Sequence, residues 1–223
     1  MSPFARIWAV ARKDAAEESR RRIAAGAVFV FAATSLALCS FAVGPFGVPA
    51  PARPQVFAAL LWILLFFSAA TGLPRAFVRE EEGGTGLALR RCVPAAIVLA
   101  GKTLFNYMLF LAIAGVTVPV FAVLMEWRPA APVALALSVA AAGLGLAVTS
   151  TFLSALVARA GQRNVLFVVI SFPLLMPLLL AAIAATLDSS RGEIPWGPLR
   201  VLVAYDGAAA CAAYLLAEAA WED

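Results

Sequence analysis

Residues 56–102 read "VFAALLWILLFFSAATGLPRAFVREEEGGTGLALRRCVPAAIVLAGK", and their pattern decides the fold. The run from Val56 to Pro74 carries no charge, residues 75–91 then hold seven charged side chains, and from Val93 the chain turns apolar again. A helix rising about 1.5 Å per residue crosses a hydrocarbon core of roughly 30 Å in about 20 apolar residues. The passage therefore predicts two membrane helices joined by a segment that belongs in water.

The rest of the chain repeats the apolar half of that pattern. Of 223 residues, 63% are hydrophobic and 13% charged, whereas an ordinary soluble domain is nearer half apolar and about a quarter charged. Six stretches are long and apolar enough to span: 23–46, 56–74, 103–125, 133–158, 164–187 and 201–217, the last interrupted by Asp206. They predict one six-span membrane domain over 23–221. Residues 1–22 lack the apolar core of a signal peptide. There Phe4, Ile7, Trp8 and Ala11 share a helical face while Arg6, Lys13 and Asp14 lie elsewhere, the pattern of an amphipathic helix at the membrane interface.

Lysine and arginine set the orientation. With the N-terminus in the cytoplasm, 13 of the 17 basic residues fall on the inner side and 4 on the outer, as the positive-inside rule demands. Both termini and residues 75–102 are then cytoplasmic. Lys102 reads as a snorkelling anchor at the cytoplasmic end of span three. The basic residues sit at the ends of apolar runs instead of forming one face, which argues against nucleic-acid binding.

Chemical motifs are sparse. "LAGKT" imitates the end of a phosphate-binding loop, but the glycine required five positions before Gly101 is Ala96, so if this protein works with ATP another chain must bind it. Without histidine there is no Ser-His-Asp arrangement, no HExxH and no histidine ligand for a metal or haem. Cys39, Cys92 and Cys211 are far apart and odd in number, which disfavours a disulfide framework or a zinc site. Ser138, Ser150 and Ser154 of span four are expected to bond to their own helix backbone.

Four further features call for a structural answer. Asp206 lies within span six, roughly 9 Å along the helix from Arg200, and needs backbone, water, a hydroxyl, an amide such as Asn106, or another subunit as partner. Span four carries Ala141, Gly143, Gly145 and Ala147, a small-residue spacing that lets helix backbones approach. Pro173 and Pro177 favour a bend in span five. "DSSRGEIPWGPLR" at 188–200 is expected to be the longest outer loop, and the sequence does not decide whether it holds a short helix or a re-entrant turn.

In the segment between spans two and three, helix can continue to Glu82 and stop at Gly83 and Gly84; Thr85 can cap a new short helix that ends on Arg90 and Arg91 before Pro94. Here the sequence becomes specific. "ARKDAAEESRRR", "FAVGP", "LLWILLFFSAATGLPRAFVREEEGG", "VLAGKTLFN", "FPLLMPLLL" and "VAYDGAAACAAYLLAEAAWED" occur in an order and spacing that resemble the CcmB family, the haem exporter permeases of the cytochrome c maturation system, which are type-2 ABC exporter membrane proteins.

The resemblance implies an all-α, six-span type-2 ABC bundle in the bacterial inner membrane, with a cytoplasmic coupling helix between spans two and three. Arg79, Glu80, Glu81, Glu82, Gly83, Gly84, Thr85, Arg90 and Arg91 would form that ATPase-coupling segment. The partners it implies are a CcmA-like ATPase that binds ATP, CcmC-like and CcmD-like membrane subunits, a CcmE-like haem chaperone, and a second permease copy. Haem would be handled by the complex, with no cofactor bound by this chain and no catalytic site of its own. The alternative is a type-2 permease that exports a lipid, drug or glycan.

Overall fold

A computed structural model describes residues 2–20, 23–44, 47–72, 93–157 and 163–217. Within them the chain forms α1 (Pro3–Arg20), α2 (Ile23–Ala42), α3 (Arg53–Gly72), α4 (Ala95–Leu124), α5 (Pro132–Val157), α6 (Arg163–Arg191) and α7 (Trp196–Leu215), with a 3-10 turn at Ala50–Ala52. No strand occurs among the described residues. The fold is all-α, as expected.

Proline and glycine punctuate these helices. Proline lacks an N–H and has a fixed φ, so it suits a first turn. Pro3 and Pro132 open α1 and α5, Pro54 lies in the first turn of α3, and Pro94 and Pro195 immediately precede α4 and α7. The helix ends use left-handed residues. After α6, Gly192 at φ 87° donates to the Ser189 carbonyl and Glu193 to the Asp188 carbonyl, the paired bonds of a Schellman cap. Glu126, at φ 49°, ends α4 the same way, with Trp127 donating to the Ala122 carbonyl.

The α6 cap decides the stretch 188–200. Residues 188–191 continue α6 and Trp196 already begins α7, so only Gly192 to Pro195 lie outside helix. The stretch is neither a separate short helix nor a re-entrant turn. At the other end, α4 begins at Ala95, eight residues before the apolar stretch counted from Thr103.

Among the described residues, four helical segments, 50–70, 95–124, 132–157 and 169–191, have the length and composition to cross a membrane, and residues 28–42 of α2 form a shorter apolar helix. The central element is α5, which packs on α4, α6 and α7, while α3 packs on α2, α4 and α6. Phe57, Leu61, Trp62, Phe110, Phe121, Leu146 and Leu178 fill the space between them. Phe57 and Trp127 both meet Phe121 edge-on, at ring separations of 6.1 and 5.8 Å. Gly143 makes the α4–α5 contact possible, because a Cβ there would collide with the Phe110 ring. Large apolar side chains remain exposed on the outside, among them Ile63, Phe67, Val116, Val123 and Leu180. Helices apolar on every side face hydrocarbon as well as one another.

Candidate functional site

The N-terminal end of α4 is one of the places where helices approach closely. Here α1 packs along α4, and a Cβ on Gly101 would stand 2.6 Å from the Val10 Cβ and 3.0 Å from the Ile7 carbonyl. Only a glycine permits that approach. The face of α1 turned to α4 holds Val10, Ala11 and Asp14, all buried, and half-buried Ile7. Phe4 and Trp8 point away and are exposed.

Two expectations are corrected at this contact. Lys102 does not snorkel to an interface: its side chain is 0% exposed, and its Nζ donates to Asp14 Oδ2 at 3.2 Å. Asp14 does not lie off the packing face of α1 but is part of it. Its carboxylate also has Lys13 at 3.9 Å, and Lys13 in turn meets Glu17 at 3.7 Å. Charges of alternating sign thus run from the α1–α4 interface to the surface. Helical spacing in α1 alone could not reveal this, because the partner of Asp14 is 88 residues away.

Deeper in the bundle, polar side chains pair across helices. Asn106 of α4 donates from Nδ2 to Thr151 Oγ1 of α5 at 2.8 Å, and that hydroxyl donates to the Ala147 carbonyl. Asn106 is therefore engaged with α5 and is not the partner of Asp206. Trp62 of α3 donates from Nε1 to Thr186 Oγ1 of α6 at 2.8 Å. Tyr205 of α7 contacts Thr149 Oγ1 at 3.2 Å and donates to the Leu174 carbonyl at 3.1 Å, so one phenol links α5, α6 and α7. Ser138 and Ser154 bond to carbonyls of their own helix, as expected.

Asp206 is buried on α7, and its Oδ1 has no hydrogen-bond partner. It lies over Gly145 of α5, where an added Cβ would run into Oδ1 and come within 2.7 Å of Leu178 Cδ1. The small-residue spacing of α5 therefore serves close packing at both glycines. The first of them admits an aromatic ring, the second a carboxylate. Pro173 and Pro177 lie inside α6, which runs through both, and Pro119 is a third intrahelical proline, in α4. The expected coupling residues, Arg79, Glu80, Glu81, Glu82, Gly83, Gly84, Thr85, Arg90 and Arg91, fall outside the described residues.

Two open grooves flank α4. One, of about 350 Å³, lies between its C-terminal half and the start of α5, walled by Leu111, Gly115, Pro119, Trp127, Pro132 and Leu135. The other, of about 340 Å³, lies between α4, α5 and α7, with Leu99, Tyr107, Leu144, Val148, Ala213 and Tyr214. No charged residue lines either, so both suit apolar matter such as lipid chains. No cluster of three Cys, Asp or Glu with metal-binding geometry occurs among the described residues.

An all-helical chain with several membrane-length apolar helices, small-residue interfaces and hydrogen bonds between its helices is a multi-pass integral membrane protein. Its sequence matches the CcmB protein family over residues 5–222, essentially the whole chain, and the chain belongs to that family. It is thus a haem exporter permease, the membrane component of an ABC system. No curated protein matches the sequence.

Proposed function

We propose that this chain is a six-span permease that carries the motion of a partner ATPase into the membrane, with α2 to α7 as its spans. Its task is haem delivery, or release of a haem-loaded chaperone, at the outer face of the bacterial inner membrane. Both termini face the cytoplasm, and two permease copies work with two ATPase subunits. The observation that carries this reading is the family match across residues 5–222, which includes the charged segment between α3 and α4. It supports cytochrome c biogenesis over the export of a lipid, drug or glycan.

In this reading Arg79 to Arg91 receive the ATPase. Glu80, Glu81 and Glu82 are three consecutive negative charges, and Arg90 and Arg91 shortly precede α4 in the sequence. Because α3 and α4 pack directly on each other, a push on the segment between them moves both helices. ATP is bound and hydrolysed on the partner, and the further subunits handle haem. With no histidine in the chain, any haem that touches it meets apolar groups, Met, Tyr or Cys.

The test is reversal of the acidic run Glu80–Glu82. The E80K/E81K/E82K variant should reach the membrane at normal levels and yet reduce holocytochrome c about tenfold or more, while ATP hydrolysis by the complex continues. Normal holocytochrome c in that variant overturns the coupling role. Co-purification from membranes should also recover an ATPase subunit together with the haem-handling subunits.

A further inference from the structure

Val10, seated over Gly101, fixes both the depth and the rotation of α1. The contact leaves no room to slide, since one added carbon at residue 101 would collide with the Val10 side chain. It also falls at a defined level of the bundle. Residues 103–124 of α4 hold no charged side chain. At 1.5 Å per residue they cover about 33 Å, close to the thickness of a hydrocarbon layer. Gly101 and Lys102 therefore stand at one rim of that layer, and α1, which meets α4 there, lies at the membrane surface.

The rotation decides which side of α1 meets lipid. Successive side chains of an α-helix are about 100° apart. With Ile7, Val10, Ala11 and Asp14 turned to α4, Phe4 and Trp8 project about a quarter turn to one side. Arg6, Lys13 and Glu17 project about a quarter turn to the other. The fold thus splits the apolar face that spacing alone assembles: Ile7 and Ala11 go to α4, and the aromatic pair is left outside. Phe4 is 82% exposed and Trp8 55%, and α1 has no comparable contact with another helix among the described residues. A helix at the membrane surface with an aromatic flank and a charged flank turns the first to lipid and the second to water.

Arg12 completes the aromatic flank. It lies one turn beyond Trp8 and is exposed. Asp14 and Glu17 are engaged by Lys102 and Lys13, whereas no ion pair among the described residues involves Arg12. A guanidinium beside two inserted rings stands at the level of the lipid phosphates, whose oxygens its paired N–H donors match.

We propose that Phe4, Trp8 and Arg12 form a binding surface for anionic phospholipid, with the two rings in the acyl boundary and the Arg12 guanidinium on the phosphate. Anionic lipid is favoured by charge: residues 1–22 carry six basic side chains against three acidic ones, and such an excess is drawn to a negative bilayer surface. The surface ties the start of α4 to the bilayer through a helix that cannot shift on it. That the leaflet is the inner one rests on the proposed topology; the lipid contact does not.

Two measurements test the surface on the full-length chain with its co-purifying subunits. In a background with Cys39, Cys92 and Cys211 replaced, Ala15→Cys places a nitroxide on the Phe4–Trp8 flank, and Ala9→Cys places one on the far side of α1. In vesicles of phosphatidylcholine with a minority of phosphatidylglycerol, the label at residue 15 should collide several-fold more with oxygen, which concentrates in lipid, than with a water-soluble nickel chelate. The label at residue 9 should show the reverse. In detergent, phosphatidylglycerol should raise the midpoint of thermal unfolding more than phosphatidylcholine does, because a ligand that binds the native state stabilises it. Arg12→Gln should remove at least half of that difference, and Arg12→Lys, which keeps the charge, should retain most of it.

A label at residue 15 that is reached chiefly by the nickel chelate would put the flank in water and overturn the surface. Shielding from both reagents would mean that a protein subunit covers the flank, and would overturn it equally. An undiminished preference for phosphatidylglycerol in Arg12→Gln would place the anionic site elsewhere and refute the assignment. Neither measurement involves Glu80 to Glu82, so this inference and the coupling reading fail separately.

Discussion

The carboxylate of Asp206 rests on the backbone of Gly145, so closely that a single added carbon at residue 145 would collide with Oδ1. The contact joins α5 to α7 at a point where both residues are buried, and no hydrogen bond to Oδ1 accompanies it. A glycine here is a packing requirement imposed by a residue on a helix much later in the chain. Gly145→Val should therefore force α7 away from α5 and cost on the order of 1–3 kcal/mol, the usual range for overpacking a tight contact. Thermal unfolding of the detergent-purified complex reads this as a lowered midpoint. An unchanged midpoint would contradict the geometry.

Gly115 and Gly207 supply the opposite case. A Cβ added at either meets nothing within 4 Å, and both lie inside helices. Alanine restricts the unfolded chain and favours helix by roughly 0.5–1 kcal/mol relative to glycine. Gly115→Ala and Gly207→Ala should accordingly be neutral or slightly stabilising in the same assay. A marked loss at Gly207 would reveal a neighbouring protein packed against that side of α7.

For Asn106 and Thr151 the informative measurement is a double-mutant cycle. Asn106→Leu and Thr151→Val each remove one end of the buried bond between α4 and α5. Side-chain hydrogen bonds between membrane helices average about 0.6 kcal/mol and reach about 1.7. The coupling energy from the cycle should fall in that interval. Strictly additive losses would mean that the bond contributes nothing.

Trp62 separates packing from hydrogen bonding. Its side chain is 1% exposed, and its Nε1 donates to Thr186. Trp62→Phe keeps most of the volume and loses the donor, and Thr186 keeps its own bond to the Ala182 carbonyl. The expected loss is about 0.6 kcal/mol. Trp62→Ala opens a cavity between α3 and α6 and should cost about 3–5 kcal/mol. If Phe proves as damaging as Ala, the polar contact outweighs the packing, contrary to this assignment.

Orientation can be read with an impermeant maleimide on intact cells, using single cysteines in a background that lacks the natural ones. Arg191→Cys should label from outside, whereas Ser19→Cys should label only after the membrane is opened. Labelling of Ser19→Cys in intact cells would invert the proposed topology.

How much of this was legible in the chain depends on the range of the interaction that decides it. Membrane helices were legible because lipid selects on length and hydropathy, which are local properties. The small residues of α5 announced close packing because their spacing is also local. Lys102 was misread for the same reason. At the end of an apolar run a lysine looks like an anchor, and only its approach to a carboxylate 88 residues earlier makes it half of a buried pair. Asn106 could be recognised as a polar group needing a partner, but Thr151 could not be chosen from several hydroxyls on α5.

By itself, then, the sequence determined that this protein is a bundle of membrane helices and the family to which it is similar. Each of these follows from free energies of transfer summed over neighbouring residues, or from an ordered set of motifs along the chain. The tertiary structure alone decided which polar groups meet: Asp14 with Lys102, Asn106 with Thr151, Trp62 with Thr186, and Asp206 with the bare backbone of Gly145. In a solvent that offers no hydrogen bonds, those partners are set by how the helices pack in three dimensions, and helical period alone does not encode them.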